Sequence, residues 1–318
     1  MSRLNKNAVT GYAHKEKSSV RKYLTHNIWL YIMLIPGLLY LLIFNYLPMF
    51  GIMSAFKNFN MAKGFFASDW VGLANFRELF ANSPQFWNAL KNTLLLSLYT
   101  IVFSFPAPII LAVLLNEIKH DIFKRTLQTV YYLPYFVSWV VVCSIITNFL
   151  SPTNGLVNYV IQALGGDPIA FLQKPQYFRT ILVISDIWKE AGYGTIIYLA
   201  AITGIDQSIY EAASMDGAGR LQKVRHITLP GISSTIVVML VLRMGSIMTN
   251  GFERIFLLYN PLTYETSDVL DTFIYRIGVQ NGMYSYSAAA GLFSSAVTFL
   301  LVIFTNYVSR KLQETSLW

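Results

Sequence analysis

Long apolar segments alternate with short polar ones along almost the whole chain. The first apolar segment, 28–56, contains no charged residue. Because about 20 consecutive apolar residues cross the hydrocarbon core of a bilayer as a helix, this segment predicts one membrane span. The same criterion predicts five more spans, at 90–115, 127–150, 180–204, 232–258 and 286–308. The pattern therefore predicts an all-α integral membrane protein with six transmembrane helices.

Prolines and glycines inside these spans predict where the helices deviate from straight. Pro106 and Pro108 lie in the second span and Pro134 lies in the third. Proline removes a backbone N–H and its ring clashes with the preceding turn, so we expect kinks at these positions. Gly192 and Gly194 in the fourth span are expected to allow a bend.

Composition agrees with a polytopic membrane protein. Of the 318 residues, 54% are hydrophobic and 13% are charged, whereas a soluble domain carries about 25% charged residues. A cleaved signal peptide is the alternative interpretation of the basic start and first apolar segment. That segment is too long, and no small-residue cleavage site follows it. The net charge of +8 does not indicate nucleic-acid binding, because the basic residues flank apolar segments.

Lysine and arginine in the short loops predict the orientation, since cytoplasmic loops are enriched in both. Alternate loops hold fourteen basic residues in one set and seven in the other. The richer set contains the N-terminal tail 1–27, the loop 205–231 and the C-terminal tail 311–318. We therefore expect both termini and the loop 205–231 to be cytoplasmic. The two tails then flank a six-span domain at 28–310, and the loop lies within that domain.

The loop 205–231 holds the most structured polar sequence of the chain, YEAASMDGAGRLQKVRHITLPG. Its first part predicts a short helix that ends at Gly217, which can adopt the left-handed conformation that closes a helix. A basic helical segment follows and is expected to stop at Pro230. Glu211 can complete a capping box with Ser208, in the pattern S-x-x-E. The loop therefore predicts a water-facing elbow that a cytoplasmic protein can hold.

Charged and polar side chains also occur within the predicted spans, where they are costly and indicate function by default. The candidates are Asp186, Trp188, Lys189 and Glu190 in the fourth span and Arg243, Asn250 and Glu253 in the fifth. Two interpretations remain open for them. They either pair with each other, Asp186 with Lys189 and Glu253 with an arginine, or line a wet cavity that binds a polar solute.

Catalytic and cofactor motifs are absent from the sequence. There is no G-x-x-x-x-G-K-[ST] phosphate loop, C-x-x-C, H-E-x-x-H or G-x-S-x-G, and the four histidines are scattered. We therefore expect a non-catalytic chain with no metal and no cofactor of its own.

The elbow resembles the EAA loop of the membrane subunits of bacterial ABC importers. The matching residues are Glu211, Ala212, Ala213, Asp216, Gly217, Ala218, Ile227, Leu229 and Pro230. Val224 departs from the pattern, since many members carry an aromatic residue there. The resemblance implies that this segment couples the permease to an ATPase. It implies that Glu211 stabilises the coupling helix or pairs with a basic ATPase group, that Ala212 and Ala213 allow close packing, and that Asp216 and Gly217 form the turn.

From about Trp29 onwards the chain resembles LplB-type polysaccharide permeases, a group within the maltose-like carbohydrate importers. The matching segments are 35–40, 46–51, 55–57, 132–134, 138–140, 186–190, 251–253 and 258–261. This resemblance implies a type I ABC importer permease in a bacterial cell membrane that carries an oligosaccharide or glycan fragment. The implied partners are a second homologous permease, two cytoplasmic ATPases that bind ATP and magnesium, and an extracellular solute-binding lipoprotein.

Three alternatives remain open at this point. The cargo of an importer of this type can be a lipid, a peptide or another non-sugar solute. An ion-coupled secondary transporter would use the intramembrane acids as ion sites. A membrane sensor or scaffold would use the same fold to hold an ATPase without transport.

Overall fold

The computed structural model describes residues 26–249 and 251–313. Most of the basic tail, Asn250 and residues 314–318 lie outside these ranges. The chain forms two compact units, divided between Ile52 and Met53.

The first unit contains α1, Ile28–Leu41, followed by a π-helical turn, Leu42–Tyr46. A 3₁₀ segment, Leu47–Phe56, continues the chain across the division between the units. All side chains of α1 are exposed although nearly all are apolar. A helix that is apolar on every side is typical of a membrane span. The stretch Ile28–Phe56 is long and apolar enough to cross a membrane, as predicted for the first span.

The second unit is built from helices. Before the predicted fourth span these are α2, Gly64–Ala67; α3, Ala74–Asn82; α4, Pro84–Tyr99; α5, Pro106–Asn116; α6, Asp121–Tyr132; α7, Trp139–Phe149; and α8, Leu156–Ala163. They continue with α9, Pro175–Thr203; α10, Gln207–Met215; α11, Arg220–Lys223; α12, Leu229–Gly231; and α13, Ser233–Gly245. The last are α14, Phe252–Leu258; α15, Tyr264–Ser267; α16, Leu270–Tyr275; and α17, Tyr284–Gln313.

A small antiparallel hairpin departs from the expected all-α architecture. Strand β1, Lys57–Asn58, pairs with β2, Asp69–Trp70, so that Lys57 lies opposite Trp70. Two-residue strands carry almost no hydrophobic alternation, so no pattern in the sequence indicated them.

Three predicted spans lie within long helices. The second lies in the helical stretch Pro84–Asn116 and the sixth in Tyr284–Val308, both apolar and long enough to cross a membrane. The fourth lies in α9, which is 29 residues long and carries Asp186, Lys189 and Glu190. Among the described helices, α9 is not one of those that meet the same criterion of length and apolar composition. The helix α9 continues without a break through Gly192 and Gly194, where the sequence allowed a bend. A Cβ at Gly192 would lie 1.8 Å from the Tyr131 carbonyl oxygen, so this glycine permits close packing of α6.

The third and fifth predicted spans are broken, which corrects the continuous helices expected at 127–150 and 232–258. In the third, the stretch Asp121–Phe136 meets Trp139–Phe149 at 99°. At the start of the fifth, the elbow stretch Arg220–Gly231 meets Ser233–Gly245 at 60°. The first break follows a 3₁₀ turn that contains Pro134, so the kink expected there is a sharp corner. In the fifth span, the first helix ends at Gly245 and Gly251 is left-handed, with a φ of 73°. Within 26–249 and 251–313, three helices are long and apolar enough to cross a membrane, or up to five stretches if each bent pair is counted as one span.

Three π-helical turns explain how prolines fit into otherwise continuous helices. Such a turn ends two residues before Pro48, Pro106 and Pro230. In each, the residue before the proline donates its N–H to a carbonyl five residues earlier: Leu47 to Leu42, Phe105 to Thr100 and Leu229 to Val224. The wider turn accommodates the proline ring, which would clash with a regular α-helical turn. The kink expected near Pro106 and Pro108 therefore takes the form of a π turn.

Three buried apolar clusters connect the helices of the second unit. One packs Phe86 of α4 against Phe273 of α16. Another packs Leu182 of α9 near Ile255 of α14 and places these helices beside the intramembrane charges. The third packs Tyr198 of α9 near Ile232, the residue that follows the elbow in the chain. The core therefore fixes α9 to both regions that the sequence singled out.

Candidate functional site

The first helix of the elbow, α10, begins at an aspartate cap. The Asp206 carboxylate accepts a hydrogen bond from the Ser208 backbone N–H at 2.9 Å. This hydrogen bond holds the pKa of Asp206 below its ordinary value. The expected capping box of Ser208 and Glu211 is wrong, because Asp206 occupies the cap position and Ser208 lies inside the helix. Glu211 is exposed on the surface of α10.

The turn of the elbow is closed as predicted by a left-handed glycine. Gly217 has a φ of 79°, a conformation that costs other residues about 1 kcal/mol or more. The Ala218 N–H reaches back to the Ala213 carbonyl at 2.9 Å, and the Gly217 N–H reaches Ser214 at 3.1 Å. Asp216 bonds through its N–H to Ala212. These bonds satisfy the last carbonyls of α10 and reverse the chain direction.

Side-chain contacts tie the second part of the elbow to the first. Lys223 donates to the Ser214 hydroxyl at 2.6 Å, and the Tyr210 and Thr228 hydroxyls are 2.9 Å apart. The helix ends at Gly231, one residue beyond the stop expected at Pro230. The expected cause is wrong, because Leu229 before the proline is α-helical and the preceding π turn accommodates the ring.

Two large apolar side chains project from the elbow. Met215 is 89% exposed at the end of α10, and Leu221 is 79% exposed on α11. They flank the Gly217 turn beside basic residues, with Glu211 and Ala212 also exposed. An apolar pair on a polar, basic segment is a feature of a protein contact surface, since aliphatic groups gain free energy when a partner covers them.

The second region is a buried ion-pair cluster centred on Asp186 of α9. One Asp186 carboxylate oxygen accepts from Arg254 of α14, which is 2% exposed. The other oxygen accepts from Arg243 of α13 at 3.3 Å. The pairing of Asp186 with Lys189, which one of the two interpretations offered, does not occur, because helices that are distant in sequence supply the cations.

Lys189 has a separate set of partners on the same helix face. Its ammonium donates to the Tyr135 carbonyl at 2.8 Å and lies 3.6 Å from a Glu190 carboxylate oxygen. It also lies 5.1 Å from the centre of the Tyr135 ring and 5.3 Å from that of Trp139. The cation is thus enclosed by opposite charge, a carbonyl and two aromatic faces, which offset its loss of hydration.

The other predicted pathway residues, Trp188, Glu253 and Asn250, are not among the buried residues of the ion-pair cluster. Trp188 is half exposed and Glu253 is exposed, while Asn250 lies outside the described residues. Sequence reasoning did not identify Tyr135 and Tyr193, whose rings stack with centres 4.1 Å apart. Aromatic residues are abundant throughout this chain, so composition alone could not single out that pair.

A cavity of about 280 Å³ opens beside the cluster, between α5, α9 and α13. Its walls combine charged, hydroxyl and apolar groups, namely Ser104, Phe105, Pro108, Asp186, Glu190, Ala191, Tyr193, Gly194, Ile197, Tyr198, Met239, Leu242, Arg243 and Ser246. The structure therefore brings Asp186, Glu190 and Arg243 together at one cavity. Within 26–249 and 251–313, no group of three or more His, Cys, Asp or Glu side chains is placed to hold a metal.

Residues 104–314 match the model of a protein family described as the binding-protein-dependent transport system inner membrane component. This match includes the elbow, the cluster and the cavity. The chain belongs to that family. Its sequence is 48% identical to Protein LplB of Bacillus subtilis (strain 168) over 290 residues, which cover 91% of each chain. It is therefore a membrane component of an importer, as the elbow sequence predicted.

A second relative has a name that specifies its cargo. The chain is 45% identical to the polygalacturonan/rhamnogalacturonan transport system permease protein YteP of Bacillus subtilis (strain 168), over 91% of this chain and 90% of the relative. YteP is by name a permease of a transport system, and the family match gives this chain the same kind of role in a bacterial membrane.

Solved structures establish the fold. A crystal structure of a bacterial ABC transporter that imports the acidic polysaccharide alginate matches with a TM-score of 0.87 and 44% identity, covering 92% of this chain and 99% of that one. A second structure of an alginate transporter, in complex with a periplasmic protein bound to alginate pentasaccharide, matches with a TM-score of 0.86. The helical fold is that of a type I ABC importer permease.

Proposed function

We propose that this chain is one permease subunit of an ATP-driven importer that moves an oligosaccharide or glycan fragment across the cell membrane by alternating access. In this proposal the chain crosses the membrane six times, and both termini and the elbow are cytoplasmic. The 14-to-7 distribution of basic residues between alternate loops supports that orientation. The chain itself is non-catalytic.

The exposed elbow is the observation that carries the proposal. Its helix–glycine–helix shape is fixed by internal hydrogen bonds, and Met215 and Leu221 project from it uncovered. A rigid segment with exposed apolar side chains can transmit the motion of a partner that holds it. We assign this surface, with Glu211, Ala212 and Ala213, to contact with a cytoplasmic ATPase.

Continuity between the elbow and the membrane helices supports a mechanical role. The helix of Leu229 and Pro230 reaches Ile232, which packs with Tyr198 of α9 in one buried cluster. Gly231 also lies so close to Ile205 that a Cβ would be 2.6 Å from that side chain. Displacement of the elbow by an ATPase is therefore transmitted to α9 and α13, the helices that line the cavity.

The cavity supports a polar cargo. Its volume of about 280 Å³ is near the lower end of the range of about 300–1,000 Å³ for ligand pockets, so it fits part of an oligosaccharide chain at a time. Hydroxyl groups and the stacked Tyr193 ring supply the polar and aromatic contacts that a sugar uses. The names of the relatives, which specify pectic glycans and alginate, support the same class of cargo.

The partners follow from the same proposal. A second homologous permease forms the other half of the pathway, two ATPases bind ATP and magnesium, and an extracellular solute-binding lipoprotein delivers the glycan. The alginate transporter's complex with a periplasmic protein supports the delivery step. The transporter resides in the bacterial cell membrane, in contact with lipid along its apolar helices.

Co-purification with matched glycine variants tests the proposal. Gly217→Pro removes a left-handed residue and its N–H bond to Ser214. Gly165→Pro is the control, because Gly165 has a φ of 85° and an N–H bond to Gln162, also with open space around it. We expect wild type and Gly165→Pro to retain a second permease and an ATPase, and Gly217→Pro to lose the ATPase.

The other outcomes separate the alternatives. If the wild-type chain is recovered alone or as a homodimer, without an ATPase, the importer proposal fails and an ion-coupled transporter becomes the better explanation. If Gly217→Pro keeps the ATPase and its coupling to uptake, the elbow is not the coupling contact.

A further inference from the structure

A second cavity, of about 630 Å³, opens between α13, α16 and α17. It shares no lining residue with the cavity beside Asp186. Phe299 and Ile303 of α17 line it and are 66% and 44% exposed, so the cavity is an open groove on the surface of this chain. Asp271 is the one ionisable residue among its described lining residues, and the others are glycine, hydroxyl-bearing or apolar. The groove therefore combines an apolar surface with a single carboxylate.

Asp271 differs from the other acids that are withdrawn from solvent. Asp186, Glu190 and Asp268 each contact an arginine or a lysine. Asp271 is only partly exposed, yet among the described residues it has no ion pair and no side-chain hydrogen bond. Ser294 lines the same groove with 7% exposure, and its hydroxyl also has no hydrogen-bond partner in the described part of the chain. A polar group removed from water without a partner is costly, so both side chains indicate that another molecule covers the groove.

The groove lies at the depth of the membrane. Ser294 and Thr298 line it 10 and 14 residues after α17 begins at Tyr284, which corresponds to roughly 15–21 Å along the helix. Gly245 lines it from α13, 12 residues after Ser233, or about 18 Å. Because the hydrocarbon core is about 30 Å thick, both helices place the groove near its middle. Lipid chains carry no cation and no hydrogen-bond donor, so they are a costly cover for a carboxylate at this depth.

A protein helix that carries a positive charge fits the groove better. In the proposed importer the ATPases act at the cytoplasmic side and the binding protein acts outside, so neither reaches the middle of the membrane. A second copy of this chain, related by a two-fold axis, would present the same groove, and one Asp271 would then face another. We infer that the groove seats a helix of the second permease and that a lysine or arginine of that helix pairs with Asp271. This inference rests on the proposed function, because it assigns a site to one of the proposed partners.

The other lining residues suit a close contact between helices. Small residues allow two helix backbones to approach each other within a membrane, and Gly245, Ser294 and Ser295 line this groove. Phe299 and Ile303 offer the incoming helix an apolar surface to cover. The Ser294 hydroxyl can donate to a group of that helix while its cation contacts the carboxylate. One contact therefore supplies a partner to each polar group that lacks one in this chain.

Photo-cross-linking in membranes that carry the complete importer tests the inference. The photoreactive residue p-benzoylphenylalanine replaces Ser295, which is exposed on the groove. Cross-linking is more decisive than co-purification here, because the ATPase pair can hold two permeases together without any contact at this groove. We expect a covalent adduct with the second permease, and mass spectrometry of the adduct identifies the helix that lies in the groove.

Charge variants identify the ion pair. With the cross-linker at position 295, we expect Asp271→Lys to lower the yield of adduct at least about tenfold and Asp271→Asn at least about threefold, because both leave the partner's cation without its carboxylate. Asp167→Asn removes an exposed acid outside the groove and is the control, which should match wild type. Replacement of the pairing lysine or arginine of the second permease by aspartate should restore the adduct of Asp271→Lys.

The unfolding temperature of the purified chain separates assembly from folding. Asp271 has no partner within the described chain, so Asp271→Asn should not lower this temperature. A lower value would show that Asp271 stabilises its own chain and would overturn the inference. If Asp271→Lys does not accumulate in the membrane, Asp271→Asn decides, and an unchanged yield of adduct overturns the inference.

The remaining outcomes distinguish this inference from the proposed function. An adduct with a second copy of this chain, the absence of any protein adduct, or failure of every reversed charge in the cross-linked helix to restore Asp271→Lys overturns the inference. Glycan uptake that depends on this chain then leaves the proposed function intact. If deletion of the chain changes uptake of no glycan, the proposed function fails and the inference fails with it.

Discussion

The two charged regions of this permease use similar residues in opposite ways. Around Asp186, Arg254 and Lys189 are buried, Arg243 is partly exposed, and each of the three has an acidic partner. In the elbow, Arg220 and Arg225 are exposed, and the Arg220 contact with Glu117 is 3.8 Å long. Charge inside the cluster is compensated within the chain because desolvation is costly. Charge at the surface remains available for a partner.

Glycine shows the same contrast between the regions. Gly192, beside the cluster, allows the Tyr131 backbone to approach α9 and has an ordinary helical conformation. Gly217, in the elbow, has open space around it but a positive φ. The interior therefore needs glycine for its small size, whereas the elbow needs it for its backbone conformation.

The largest effect is expected from removal of the buried arginine. Arg254→Met leaves Asp186 buried with a single contact at 3.3 Å to Arg243. Loss of one partner from a buried pair costs about 3–5 kcal/mol, and we expect about 3 kcal/mol because Arg243 remains. The unfolding temperature and the yield of folded protein in detergent measure this loss.

Two controls sharpen this expectation. Arg220→Gln removes an exposed arginine and should cost about 1 kcal/mol or less. The double variant Asp186→Asn with Arg254→Met removes the uncompensated carboxylate and should recover part of the stability. Equal stability of Arg254→Met and Arg220→Gln would contradict the assignment of a buried pair.

Close packing at Gly192 gives the next largest effect. In Gly192→Ala the new methyl group would lie 1.8 Å from the Tyr131 carbonyl oxygen, which is backbone and has no alternative rotamer. Overpacking of this kind costs about 1–3 kcal/mol, and separation of α6 from α9 would also disturb the Lys189 contact with Tyr135. Thermal unfolding in detergent measures the cost. Gly291→Ala on α17 is the control, since its Cβ meets nothing within 4 Å; equal behaviour of the two variants would exclude the packing role.

A smaller effect on stability but a large one on assembly is expected in the elbow. Met215→Asp with Leu221→Asp places charges on an apolar contact surface without disturbing buried residues. Central apolar contacts of an interface contribute about 2 kcal/mol or more, so ATPase binding should weaken at least about tenfold. Leu164→Asp is the control, at a residue that is 83% exposed outside the elbow. Unchanged ATPase binding by the double variant would remove these two residues from the interface.

The elbow could be predicted from the sequence because its determinants are local. The left-handed Gly217 and the helix before it depend on neighbouring residues, and the structure confirms both. The partners of Asp186 could not be predicted, because Arg243 and Arg254 are 57 and 68 residues away. Only the packing of α9 against α13 and α14 decides which cation reaches which carboxylate.

The breaks in the predicted spans show a second limit of prediction from the sequence. Hydrophobic length predicted where the apolar segments lie, yet the third is divided by a 99° corner and the fifth is interrupted between Gly245 and Phe252. An apolar composition is the same on both sides of such a corner, so length cannot reveal it. Pro134 indicated the first break, while the turn after Gly245 depends on tertiary contacts near Ser97, whose hydroxyl donates to the Ile247 carbonyl at 2.8 Å.

The smallest effect is expected at an exposed ion pair far from both regions. Lys63 and Asp69 are 2.8 Å apart, and the hydrogen bond from Lys63 and its charge hold the pKa of Asp69 below its ordinary value of 3.8. A lowered folded-state pKa means that the pair stabilises the protein above about pH 4 and loses this contribution as the pH falls through the folded-state value. Lys63→Gln should therefore lower the unfolding temperature slightly at pH 7 and not at pH 2, and added salt should reduce the difference at pH 7. A loss comparable to that of Arg254→Met would show that exposure does not separate weak charge pairs from strong ones in this protein.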